Sequence, residues 1–493
     1  MNFRKKPLRA ATVALGGVAV AGVAWIALPA NAATTGTVSV VESNVVTYTA
    51  ATGKANTVVL TQSGNTVTVD DTVAIKAGAG CVAVSGDTTK IRCTPTVTVN
   101  WMRVDLGDGD DVVVNQANLG LTARTRAGND RITGGPKRDD VYAGDGDDVL
   151  QTNGGNDVLR GDAGNDLVIG GDGADSLSGS IGNDTLNGGP GDDTASYAGE
   201  GDDIVYGGDG NDQPFYGGPG LDKLYGGNGV DTLYGDEGND LVDGGAEDST
   251  LYGGAGDDRI VGGNGDSDYL SGDAGNDRIE GGPGTNHMFG EGGNDELVGG
   301  PDTDHMEGSL GNDIENGGDG LDYFHEDLDW EPGTDADTFI GGGDDDVVVY
   351  SRRENAVTAD NDGVKGDDGA AGEGDTIDTS VSIIWGGRGD DQLTGASGDD
   401  SLRGGPGNDT LLTGAGDDAL FGDEGIDTLD AGAGFDYCAD PVETGESVAN
   451  CEYGDGAPPT PGARSARNAG TEQEEKMKRL IRLEAGALKG PKD

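Results

Sequence analysis

Aspartate recurs every nine residues along most of this chain. Asp139, Asp148, Asp157, Asp166, Asp175, Asp184 and Asp193 keep the step without error, and Asp391, Asp400, Asp409, Asp418, Asp427 and Asp436 repeat it later. Glycines precede each one and an apolar residue follows two places on, as in Gly253-Gly254-Ala255-Gly256-Asp257-Asp258-Arg259-Ile260-Val261. Carboxylate and backbone carbonyl oxygens are hard donors, and this unit contains neither histidine nor cysteine. Such a donor set selects calcium. Magnesium needs a tighter octahedron and gives up its water reluctantly, so flexible glycine loops suit it poorly.

The spacing also dictates what must hold the aspartates. In a unit G-G-x-G-x-D-x-U-x the glycines permit positive φ and tight turning, so six residues curl and aim oxygens inward. The last three form a short strand whose middle member, such as Leu177, Leu233 or Ile260, points to the core. Two units make one flattened coil, and successive coils pair as parallel strands about 4.8 Å apart. A period this short means a solenoid. Aspartates eighteen residues apart, such as Asp139 and Asp157, then stack on one edge. At that spacing two carboxylates repel by about 0.9 kcal/mol even in bulk water. Many such contacts outweigh a domain's whole stability of about 5–15 kcal/mol. Divalent ions lodged between turns must therefore reverse the sign, and binding and folding become one event.

Composition agrees. The 493 residues carry a net charge of −60, with 95 glycines, 33% hydrophobic residues and 5% aromatics. So little apolar material cannot fill a large globular interior, and without the period it would indicate disorder. No Gly-X-Y repeat is present, which excludes collagen. The acidity repels nucleic acid and anionic lipid, leaving multivalent cations, basic proteins and neutral glycans as partners. At the N-terminus a basic stretch (Arg4, Lys5, Lys6, Arg9), an apolar run from Ala10 to Leu28 and Ala30-Asn31-Ala32 read as a secretory signal cut after Ala32. No later apolar run could span a bilayer, so the expectation is a secreted, extracellular chain with no stable membrane insertion after cleavage. Four cysteines allow three pairings. Short separation favours Cys81–Cys93 and Cys438–Cys451, bracing the two ends of the repeats in an oxidising compartment.

The chain divides into a signal peptide (1–32), an N-terminal β-rich cap (33–105), a first block of repeats (106–325), an irregular interruption (326–385), a second block (386–453) and a tail (454–493). Val/Thr-rich runs in 33–105 read as an all-β segment that closes the first coil. The step lengthens to ten between Asp193 and Asp203, Asp212 and Asp222, and Asp258 and Asp268, which single-residue bulges can absorb. Ser249 and Asn286 stand where aspartate is expected, and Pro214 and Glu315 where an inward apolar side chain is expected; those registers should be weak or metal-poor. In the tail, Pro458-Pro459-Thr460-Pro461 opens a linker. Met477, Leu480, Ile481 and Leu488 follow at helical spacing among lysines and arginines, predicting a short amphipathic helix.

These residues closely resemble the RTX family of nonapeptide calcium-binding repeats, over about 106–451. The unit recurs in more than two dozen registers, which makes the match highly specific. The resemblance implies an all-β parallel β-roll (an RTX β-solenoid) with a small N-terminal β-cap region and a short C-terminal helical tail. It also implies that loop glycine carbonyls and the sixth-position aspartates ligate calcium between neighbouring coils, at many sites. On that basis the expected metal ligands are Asp139, Asp148, Asp157, Asp166, Asp175, Asp184, Asp193, Asp231, Asp240, Asp258, Asp277, Asp295, Asp313, Asp391, Asp400, Asp409, Asp418 and Asp427. The segments Tyr48-Thr49-Ala50, Gly78-Ala79-Gly80-Cys81 and Phe435-Asp436-Tyr437-Cys438 look like secreted actinobacterial members. One departure is the N-terminal signal, since many members use an uncleaved C-terminal one.

Catalytic signatures are missing from the sequence. There is no H-E-x-x-H, and His325-Glu326-Asp327-Leu328-Asp329 lacks the second histidine that zinc requires. There is no G-x-S-x-G elbow. The paired carboxylates would be occupied by calcium, so the expectation is a non-enzymatic calcium-binding protein. His287 and His305, eighteen apart, should stack, as a transition-metal site or more simply as a solvent-facing ladder. Tyr216, Tyr234 and Tyr252 share that spacing, as a sugar-binding platform or as stabilising stacking between adjacent strands. The alternatives are therefore a calcium-dependent adhesin or matrix protein binding cell-surface glycan or protein, and, further off, a polysaccharide-modifying enzyme.

Overall fold

A computed structural model describes residues 35–42, 44–326, 335–439, 447–451 and 453–454. The expected signal peptide and the C-terminal linker and helix lie outside these residues. The described elements are strands joined by turns, with no helix among them.

The eighteen-residue coil is the building unit. Val158–Ala163 pairs in parallel with Asp139–Asp145 before it and Ser176–Ile181 after it. Leu167–Ile169 pairs likewise with Val149–Gln151 and Thr185–Pro190. Alternate strands thus build two facing walls, and the loops between them form two edges. The fold is an all-β parallel β-solenoid. The middle residue of each strand points between the walls: Leu150, Leu159, Val168, Leu177 and Leu186 are at most 1% exposed. Each such side chain contributes about 1.5–3 kcal/mol by leaving water. The apolar interior runs without a break from Val38 to Cys451.

Insertions are absorbed in two ways. Thr194–Glu200 and Gln213–Pro219 each hold the extra residue within the strand, on adjacent coils and in register with each other. That bulge moves Pro214 out of the inward slot, and Phe215, fully buried, takes it. Between Asp258 and Asp268 the extra residue sits in the loop instead. There the N–H groups of Asp266 and Ser267 both converge on Asp248 Oδ1.

The irregular stretch after 325 does not end the stack; it lengthens the coils. Ile314–Gly318 pairs with Thr338–Gly342, which pairs with Thr376–Ile377. The corresponding aspartate steps are 24 residues from Asp313 to Asp337 and 38 from Asp337 to Asp375. One wall continues through Asp346–Val349, Val381–Trp385 and Ser401–Pro406. The other breaks and restarts at Val357–Asp360, which pairs with Gln392–Thr394. At the break Arg353, 5% exposed, donates from Nη2 to Glu326 Oε2 at 2.6 Å and from Nη1 to Glu373. A guanidinium therefore supplies positive charge where the coils lose their regular loops.

Both ends are tied down. Val45–Thr49 and Thr57–Ser63 add in parallel to Trp101–Asp105 and Val112–Asn115, one on each wall. Hairpin partners Thr66–Asp70 and Lys90–Cys93 extend the second wall, and the Cys81–Cys93 disulfide closes that extension. At the far end Tyr453–Gly454 and Ser447–Ala449 form the last rungs, held by the Cys438–Cys451 disulfide.

Candidate metal centres

Each repeat aspartate sits at the foot of a glycine loop, and its two oxygens do different things. Oδ1 accepts the backbone N–H of the aspartate one coil earlier: Asp148 N–H to Asp166 Oδ1 at 2.8 Å, Asp166 N–H to Asp184 Oδ1 at 2.7 Å, Asp240 N–H to Asp258 Oδ1 at 2.7 Å. The same bond recurs in the second block, from Asp391 to Asp409 and from Asp409 to Asp427. Oδ2 is turned into the loop. In Asp148, Asp157, Asp166, Asp175, Asp184, Asp193, Asp231, Asp240, Asp258, Asp277, Asp295, Asp313, Asp400, Asp409 and Asp418 that oxygen is buried without a hydrogen-bond partner. A buried, unpaired carboxylate oxygen is among the costlier groups a fold can hold, and one such atom per loop points to a cation.

The loop glycines show where a cation would fit. A Cβ built on Gly290 would lie 2.5 Å from Asp295 Oδ2 and 2.7 Å from the carbonyl oxygen of Gly308 on the next coil. At Gly217 the distances are 2.5 Å to Asp222 Oδ2 and 2.7 Å to Gly235 O, and at Gly207 they are 2.5 Å to both Asp212 Oδ2 and Gly226 O. These point positions lie close to the 2.3–2.6 Å shell of calcium–oxygen ligation. The first glycine of the unit is thus needed because a side chain would fill the cradle. The fourth has a second reason: at Gly164, φ is +140° and a Cβ would collide with Gly146 O.

Burial pushes these carboxyls up from the ordinary 3.8. Asp175 rises to about 6, Asp148 to about 7 and Asp222 to about 8. Burial is the largest cause in each, and neighbouring aspartates add to it, Asp203 and Asp240 in the case of Asp222. Without a counter-charge the rows resist ionisation.

Not every expected ligand sits in the same setting. Asp139 Oδ2 accepts the N–H of Gly135 and Asp391 Oδ2 that of Gly387, so those oxygens are partly satisfied. Beside Asp139 the next coil places Thr152 instead of glycine, with its methyl in the cradle of Gly134. Asp427 is buried and accepts through Oδ1 like the others. Asn286 is instructive: its Nδ2 donates toward Gly282 O and Gly284 O at 3.2 and 3.3 Å, putting an amide hydrogen where a cation would meet the carbonyls. Ser249 leaves its Oγ donating to Glu247 O.

The arrangement extends beyond the expected set of ligands. Asp111, Asp130, Asp203, Asp212, Asp222, Asp268, Asp304, Asp322 and Asp346 carry the same buried, unpaired Oδ2. A tolerance of one residue in the nine-residue step finds most of them. Glu315 is inward as expected from its position, fully buried, with Oε1 accepting Gly308 N–H at 2.7 Å and Oε2 unpaired.

The outward ladders lie on one wall. Tyr216, Tyr234 and Tyr252 stack with ring centroids 4.9 and 4.8 Å apart, so each inner face is covered by a neighbour and the edges look outward. The three histidines gather farther along: His287 stacks on His305 at 4.9 Å, and His305 Nδ1 lies 3.2 Å from His325 Nε2. Burial holds His305 down to about 3 and His325 to about 4, so both are neutral at neutral pH.

The family model for the RTX calcium-binding nonapeptide repeat matches residues 124–159, 160–195, 197–214, 215–242, 234–267, 263–297, 382–411 and 403–438. These spans fall on the regular coils and leave out the lengthened ones. No curated protein matches the chain.

Proposed function

The chain is an RTX-type calcium-binding repeat protein, and from that premise we propose that it is secreted and folds on meeting extracellular calcium, serving as a binding and structural module rather than a catalyst. The observation that carries this reading is the double row of buried, unpaired Oδ2 atoms facing glycine carbonyls. We assign as ligands the aspartates named above with that arrangement, together with the first-glycine carbonyl of the following coil. Asp139 and Asp157 flank the Thr152 position and form the weakest site of the regular block. Calcium supplies the positive charge that lets neighbouring aspartates ionise together, while the chain supplies the oxygens, orients them through the Oδ1 bonds and excludes water by stacking coils.

Secretion accords with this. Two disulfides brace the ends, and such bonds persist in oxidising compartments. Extracellular calcium is plentiful, and modules of this class work with dissociation constants of about 10⁻⁴–10⁻³ M. A non-catalytic role accords with carboxylates that are each tied at one oxygen to the neighbouring coil. Circular dichroism of the full chain with calcium and with a chelator tests the proposal. A β-spectrum that appears only with calcium is expected; an equally folded protein in chelator at neutral pH would refute it.

A further inference from the structure

In most regular coils the outward positions that flank each core residue are at least partly exposed, whether polar, as Ser176 and Ser178 beside Leu177, or apolar, as Leu167 and Ile169 beside Val168. Near the end of the continuous wall they are not. Val347 and Val349 flank inward Val348, Ile383 and Trp385 flank Ile384, and Ala419 and Phe421 flank Leu420. With Tyr323 and Tyr437 these make a second apolar cluster, on the outside of the roll. Its members are only 0–9% exposed. Yet every described strand belongs to one of the two walls, so among the described residues no strand lies across this stripe.

We propose that this stripe is the seat of the chain's own C-terminal segment, residues 472–488. Chemistry, reach and length agree. Met477, Leu480, Ile481 and Leu488 share one apolar face of the helix their spacing predicts, and Lys476, Lys478, Arg479 and Arg482 are balanced by Glu472, Glu474, Glu475 and Glu484, so the segment adds no net charge to the acidic roll. The last described strand, Tyr453–Gly454, belongs to the same wall, beside Tyr437–Ala439. From there Val381–Trp385 is reached through Ala419–Glu424 and Ser401–Pro406, a distance of about 20 Å at about 4.8 Å per strand. The linker from 455 to 471 can extend to roughly 55 Å. The stripe from Tyr323–His325 to Tyr437–Ala439 measures about 24 Å on the same spacing, and residues 472–488 as a helix measure about 25 Å. A helix laid along the solenoid axis would cover the stripe from end to end. At its middle Ser401 and Arg403 flank Leu402, with the Arg403 guanidinium 5.8 Å over the Trp385 ring and its Nε donating to Asp423 Oδ2 at 2.6 Å.

The inference is independent of the calcium reading, because it rests on the wall and not on its edges. A photo-crosslinking residue placed at Leu480 in the full, calcium-loaded chain tests it. Crosslinks within one molecule to peptides carrying Val347–Val349, Ile383–Trp385 or Phe421 are expected. Crosslinks to the opposite wall or the loop edges, crosslinks only between two copies, or none at all would overturn it. As a second measurement, Leu480→Asp with Ile481→Asp should raise the binding of an apolar dye in calcium at least threefold by uncovering the stripe; unchanged dye binding would also overturn it.

Discussion

The backbone N–H of Asp157 donates to Oδ1 of Asp175, one coil further on, at 2.7 Å. This bond makes every coil depend on its successor and fixes which oxygen is left for the loop. Removing a carboxylate therefore has two separable effects, on the stacking bond and on the cation. Asp295→Asn keeps an oxygen for Asp277 N–H, now 2.7 Å from Asp295 Oδ1, and offers an amide to the loop carbonyls, as Asn286 does. It should bind one calcium fewer at neutral pH yet be no less stable in chelator at acid pH, where the protonated rows keep the roll folded. Asp295→Ala loses both and should cost about 1–3 kcal/mol in calcium. Calorimetric stoichiometry and thermal melts distinguish the pair.

Glycine substitutions map the cradles. Gly290→Ala places a methyl within 2.5 Å of Asp295 Oδ2, and should remove one calcium and lower the melting temperature by a few degrees in calcium. Gly398→Ala meets nothing within 4 Å and should leave both unchanged. Equal behaviour of the two variants would detach the glycines from cation binding.

The pH dependence in chelator should run opposite to the usual carboxylate case. Buried Asp175, Asp148 and Asp222 have folded values raised to about 6, 7 and 8, above the ordinary 3.8. A raised folded value means that the folded state holds the proton more tightly. Stability is then fully present below about 3.8 and is lost as pH rises through 6 to 8. With calcium the order reverses, since ligation needs the ionised form. Circular dichroism from pH 3.5 to 8.5, in chelator and in calcium, reads both directions.

Glu315 occupies a slot that is aliphatic or aromatic in neighbouring coils, paired with Leu297 before it and Phe339 after it. Burial raises its carboxyl well above the ordinary range. Glu315→Leu should stabilise the calcium-loaded protein by roughly 1–2 kcal/mol, allowing for the acceptor lost by Gly308 N–H. A thermal melt at neutral pH checks it; a lower melting temperature would assign Glu315 a binding role.

Much of this architecture could be read from the chain because the repeat couples three levels at once: glycine conformation, inward residue and ligand. Leu177, Leu233 and Ile260 fall inside as their place in the unit requires. Both disulfides follow from sequence proximity. What escaped is what depends on partners far along the chain. A bulge lets Phe215 displace Pro214, and nothing local to Pro214 signals it. Coils of 24 and 38 residues preserve the stack through Asp337 and Asp375, because pairing depends on strands and tolerates loops of any length. Arg353 reads as one more surface arginine until Glu326 and Glu373 close around it.

The most direct test is one calcium titration of the full chain at neutral pH, followed by calorimetry and by circular dichroism together. Heat and β-signal should saturate at the same calcium concentration, with several ions bound per chain. A β-signal already complete before any calcium binds, or binding that leaves the spectrum unchanged, would contradict the account.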